Sequence, residues 1–114
     1  MPITRRLLHA VAGTAALAGS VALIGPWALA LWITPDIAVL AGITRDMPRD
    51  GRLHPRAVPL YNALHALPGP FALIALGAVT GPVALGLGVL WLSHVLLDRA
   101  MGYGLRTREG LQRA

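Results

Sequence analysis

Between Leu7 and Ile43 the only ionisable side chains are His9 and Asp36, and no other feature limits the fold so tightly. The run is too long for one membrane span of about 20 residues, so it reads as two. Gly25-Pro26 is the natural break, because proline cannot continue a helical hydrogen-bond ladder and glycine tolerates turn dihedrals. The spans expected here are 4–24 and 26–43. The stretch from Arg45 to Arg56 (RDMPRDGRLHPR) is too charged for hydrocarbon and forms a basic loop, 45–56. Beyond it the chain is apolar again, and Thr80-Gly81-Pro82 divides a third span, 57–79, from a fourth, 82–105. A single domain, 1–114, follows: an all-α, four-helix transmembrane bundle, running up-down-up-down.

Charge placement orients that bundle. All ten positive charges are arginine. With four spans Arg5 and Arg6, the four arginines of the central loop, and Arg99, Arg106, Arg108 and Arg113 share one side, and the opposite hairpins carry none. The positive-inside rule then puts both termini in the cytoplasm of a cell (inner or plasma) membrane. Hydrophobic residues make up 55% and charged residues 13% of the chain, against roughly 25% charged in a soluble domain. The lipid bilayer is therefore the expected partner. Nucleic acid is not, because the +5 net charge sits in islands between apolar runs and forms no solvated patch with stacking aromatics. A competing reading takes Thr4-Arg5-Arg6-Leu7-Leu8 and the following apolar run as a signal peptide, even a twin-arginine one. The run continues past any cleavage point, which favours a span. With no cysteine, a metal site would have to use His, Asp and backbone oxygens.

Ionisable residues inside spans are costly and mark candidate sites. Asp36, His65, His94 and Asp98 qualify. Counted from the basic end of each span, Asp36, His65 and Asp98 lie about 12 Å deep and His94 about 18 Å, so three helices contribute to one polar layer. His94 and Asp98, four apart, share a helix face. Tyr61, Asn62 and His65 form a second stripe by the same spacing, expected to face the fourth span. Each group also has a plainer role: interhelical hydrogen bonding for the histidines, worth about 0.6 to 2 kcal/mol per bond, an ion pair with Arg99 for Asp98, and a helix cap for Asp36.

Prolines add to the layer. Pro35 would deprive the Leu31 carbonyl of its helical partner, and Pro68 and Pro70 would do the same for Leu64 and Ala66. Such carbonyls in lipid must find a donor, a water or a cation. Small residues four apart, Ala15 with Gly19 and Ala84 with Gly88, let helices approach closely. Trp27, Trp32 and Trp91 include interfacial anchors, with Trp27 fitting the aromatic belt best. His9 and His54 read as interfacial and solvated. No phosphate-binding glycine loop, nucleophile elbow or HExxH is present.

The pattern YN-x2-H at Tyr61–His65, followed by W-x2-H-x3-DR-x2-GYGL at Trp91–Leu105, resembles domain of unknown function family 4260, small bacterial integral membrane proteins. The resemblance extends over residues 26–106. It implies a membrane fold and brings no established activity. A glutamate expected near the start of the first helix in such proteins has only His9 as its nearest counterpart here, and a longer tail with another histidine is missing.

The function these residues suggest first is one polar site, formed by Asp36, His65, His94 and Asp98 with Tyr61 and Asn62 around it. Two imidazoles and two carboxylates suit zinc, manganese or iron. Such an ion could activate water for a membrane hydrolase acting on a lipid-linked or membrane-proximal substrate. The alternatives are a proton- or ion-coupled transporter or channel subunit, which would have to form a homo-oligomer to enclose a pathway, and a structural or accessory membrane protein.

Overall fold

Gly25, with φ 93°, ends the first helix, and its N–H still reaches Val21 O at 2.8 Å. Helix α1 spans Ile3–Ile24. The structure, a computed structural model, describes residues 1–46, 50 and 52–112. Arg49, Arg113 and parts of the basic loop 45–56 lie outside the described residues. After α1 come a single turn, α2 (Ala28–Leu31), a 3₁₀ segment (Thr34–Gly42), a 3₁₀ turn (Pro55–Ala57), α3 (Val58–His65), α4 (Pro68–Thr80) and α5 (Pro82–Met101).

The expected four-helix transmembrane bundle does not form. Among the described residues only α1 and α5 are long and apolar enough to cross a bilayer, with a third span if the bent pair Pro55–His65 and Pro68–Thr80 is counted as one. At 22 and 20 residues, α1 and α5 reach about 33 and 30 Å at 1.5 Å per residue, matching a hydrocarbon core of about 30 Å. The two long apolar helices make the chain a multi-pass membrane protein. The expected span 26–43 fails because Pro35 removes an N–H from the ladder. The chain tightens instead into i→i+3 bonds, with Asp36 N on Ile33 O at 2.9 Å, and the nine-residue 3₁₀ segment is long for that geometry. The expected span 57–79 breaks at Ala66-Leu67, before Pro68, and its halves bend by 41°.

The straight helices pack through glycine. A Cβ on Gly77 would lie 2.1 Å from Leu85 N, and one on Gly88 2.7 Å from Ile74 N. The backbones of α4 and α5 therefore touch, as the Ala84/Gly88 spacing suggested, whereas Gly19 meets only Val89 at 3.9 Å. Gly13 of α1 meets Leu97, and Gly86 of α5 meets Ile24, so α1 and α5 run antiparallel. Leu7, Leu8 and Val11 of α1 and Phe71, Leu76 and Val79 of α4 are exposed, an apolar surface suited to lipid.

The arginine-bearing segments meet at one end. Arg6 Nε donates to Ala100 O at 2.8 Å, and Leu53 N donates to Gly110 O at 3.0 Å. Two apolar cores flank the polar groups. Ala38, Leu53, Ala57, Val58 and Tyr61 form one, and Ile24, Ala28 and Leu90 the other.

Candidate metal centre

Helix α5 ends sooner than the sequence suggests, and this sets the depth of the site. Gly102, with φ 95°, donates to Arg99 O at 3.2 Å, and Tyr103 N donates to Asp98 O at 2.9 Å, the paired closure of a Schellman motif. Asp98 therefore lies three residues from the end of α5, about 5 Å along its axis, and His94 about 10 Å. The polar layer is shallower than the expected 12 to 18 Å.

Asp36, His65, His94 and Asp98 come together from the 3₁₀ segment, α3 and α5, and one ligand atom from each lies within 4.8 Å of all the others. His65 Nε2 stands 3.1 Å from Asp36 Oδ1, 3.4 Å from Asp98 Oδ2 and 3.2 Å from His94 Nε2. His94 Nε2 stands 3.4 Å from Asp36 Oδ1 and 3.5 Å from Asp98 Oδ2. A tetrahedral ion with bonds of about 2.0 to 2.1 Å holds its ligands about 3.3 to 3.4 Å apart, so five of the six separations already suit one ion.

The tautomers follow from the backbone. His65 Nδ1 lies 2.8 Å from Tyr61 O, and His94 Nδ1 lies 2.8 Å from Trp32 O. A carbonyl oxygen only accepts, so each Nδ1 carries a proton and each ring turns its Nε2 into the cluster. With both rings neutral and both carboxylates ionised the set would carry a charge of −2, which one divalent cation would neutralise. Both histidine side chains are fully buried, that of Asp98 is 10% exposed and that of Asp36 39%. Buried charge this dense is expensive without a counter-ion. Such a cluster is capable of holding a divalent metal.

The breaks in the helices supply the surrounding groups. The Leu31 carbonyl freed by Pro35 accepts from the Thr34 hydroxyl at 2.6 Å, and the Leu64 carbonyl freed by Pro68 accepts from Trp91 Nε1 at 2.7 Å. These oxygens are thus occupied by side chains and contribute nothing to the ion. At the end of α3 the His65 carbonyl accepts from Arg99 at 2.7 Å. Asp98 turns to the two histidines, so the expected alternative of an Asp98–Arg99 pair is replaced. Asp36 makes no capping bond and turns the same way.

Tyr61 and Asn62 part company. The Tyr61 ring stacks on His65 with centroids 3.9 Å apart, and the Arg106 guanidinium lies over the same ring at 5.4 Å. Asn62 does not reach the cluster. Its side chain exchanges two hydrogen bonds with the Arg106 backbone, at 2.9 and 2.7 Å, and ties down the C-terminal tail. His54 is also not the solvated group expected. It accepts from Arg56 N at 3.1 Å and packs against Gly42. In the loop, the Thr44 hydroxyl holds the Asp46 carboxyl below its ordinary range, and Arg52 does so for Asp50.

Sequence reasoning passed over Trp32 and Trp91 as site residues. Trp32 supplies the carbonyl that orients His94 and packs its ring on the imidazole at 4.6 Å. For Trp91 the signal existed: Trp91, His94 and Asp98 follow i, i+3, i+7 spacing and share one face of α5.

No curated protein and no solved structure matches the chain. The profile of the family described as Domain of unknown function (DUF4260) matches residues 6–114, a longer stretch than the 26–106 that carries the resemblance in sequence. The chain belongs to that family.

Proposed function

We propose that Asp36, His65, His94 and Asp98 bind one divalent metal ion, zinc foremost, and that the site hydrolyses a substrate held in or at the membrane. The observation that carries this reading is the pairing of both Nδ1 atoms with backbone carbonyls. It turns the two Nε2 atoms, 3.2 Å apart, towards each other and towards two carboxylates. Neutral rings held that way repel unless a cation or a shared proton lies between them. The near-tetrahedral separations and the two nitrogen ligands favour zinc over hard octahedral ions such as magnesium.

A divalent ion there would polarise a substrate oxygen and bring the pKa of water towards neutrality. Hydrolysis then adds water across the scissile bond, OH to the electrophilic centre and the proton to the leaving group. Asp36, the exposed ligand, marks the side from which substrate and water arrive. The arginine-rich end faces the cytoplasm under the positive-inside rule, in a cell (inner or plasma) membrane. The site thus opens near the inner interface.

The proton-relay alternative lacks support, because residues 10–35 and 66–93 contain no titratable side chain to carry a proton beyond the cluster. Elemental mass spectrometry on detergent-purified protein tests the metal. Near one zinc per chain, lost in folded His65→Ala and His94→Ala, is expected. Absence of any stoichiometric metal after loading with zinc, manganese or iron would falsify the proposal.

A further inference from the structure

Next to the cluster lies an apolar cavity of about 330 Å³, within the 300 to 1,000 Å³ typical of small-ligand sites. Its walls include Leu31, Trp32, Pro35, Leu64, Leu87 and Trp91. Three of these join it to the cluster: Trp32 packs on His94, Pro35 precedes Asp36, and Leu64 precedes His65. Leu31 and Thr34, also on the wall, are exposed, so the cavity has a mouth on the surface. An apolar cavity of this kind is poor at holding water, and in a bilayer the medium outside is hydrocarbon.

We infer that the cavity takes one acyl chain of a membrane lipid and brings that chain's ester to Asp36. The fate of the ester rests on the metal reading above, whereas binding of the chain does not. If the ester is the substrate, water adds OH to the acyl carbon, the C–O bond to the alcohol breaks, and the alcohol leaves with the proton. The products are a fatty acid and the deacylated lipid.

Photolabelling tests this on the full chain in detergent micelles, with phosphatidylcholine carrying a diazirine in one acyl chain. Label is expected on residues 31–36 and 87–91 in preference to the exposed Leu7, Leu8 and Val11 of α1, by about tenfold. A diazirine beside the ester should mark Pro35 and Asp36, and one near the methyl end should mark Leu87, two helical turns from His94. Leu87→Trp and, at a more exposed position that tolerates bulk, Leu31→Trp should each fill the cavity and lower its labelling about fivefold or more, with zinc content unchanged. Uniform labelling over the apolar surface, reversed order along the chain, or full labelling of the filled variants overturns the proposal. Zinc without cavity labelling removes this inference alone. Labelling without any stoichiometric metal, after loading with zinc, manganese or iron, leaves it standing and removes the metal reading.

Discussion

The two ends of this molecule use opposite means to pack helices. Towards the Gly81 turn, α4 and α5 are unbroken and lie backbone against backbone at Gly77 and Gly88, with no titratable group among residues 66–93. Towards the arginine-rich end the ladders are broken at Pro35 and before Pro68, and the gaps are filled with side-chain hydrogen bonds. In the first region the unbroken helices satisfy their interior backbone polar groups within their own ladders, which leaves the surface free for van der Waals contact. In the second, one carbonyl left over by a break, that of Trp32, becomes the acceptor that orients the His94 imidazole. Trp32 O can hold His94 because Asp36 N has turned to Ile33 O. A broken helix in a membrane protein is thus a source of aimed acceptors as well as a cost.

That contrast can be broken most directly at the ligands. Asp98→Asn keeps the shape of the side chain and removes one charge, and zinc affinity should fall by more than about 100-fold, beyond the 10- to 100-fold typical of outer partners. Titration with a competing chelator measures it, and unchanged affinity would remove Asp98 from the ligand set. In the glycine-packed region, Gly77→Ala would push a methyl into the Leu85 backbone and should cost about 3 kcal/mol by reversible unfolding in detergent. The ion should still bind to the folded fraction with its affinity unaltered, and a large affinity change would show that the two regions are not separate.

Smaller effects sharpen the comparison. Trp91→Phe leaves the Leu64 carbonyl without its donor, one residue from His65, and should cost about 1 to 3 kcal/mol together with about tenfold in zinc affinity. Loss of stability with no loss of affinity would confine Trp91 to packing. Gly102→Ala asks an alanine to hold φ 95° and should cost about 1 kcal/mol, read as a lowered melting temperature. If stability rose instead, the closure after Asp98 would not depend on that backbone conformation.

Much of the site was legible because membrane burial makes ionisable side chains conspicuous. Asp36, His65, His94 and Asp98 stand out from apolar surroundings without knowledge of the fold, and the structure brings all four together. Asn62 shares the helical stripe of His65, yet it bonds to Arg106, 44 residues away. Helical spacing fixes a direction from the axis and says nothing of which distant backbone arrives there. The spans were less legible. Hydropathy sees apolar residues in 26–43 and 57–79 and cannot weigh a proline against lipid, since the outcome depends on whether a neighbour satisfies the freed carbonyl.

By itself the sequence determined that the chain belongs in a membrane, that its helices turn at Gly25-Pro26 and Gly81-Pro82, and which four ionisable residues are candidates for chemistry. These follow from hydrophobicity, backbone dihedrals and the cost of burying charge, all of them properties of local residues. Tertiary structure alone decided that two or three segments among the described residues are long enough to cross, that the breaks are sealed by Thr34, Trp91 and Arg99, and that the two Nε2 atoms face each other. A hydrogen bond between segments depends on where both backbones lie to within a few tenths of an ångström, and only the packed chain fixes that.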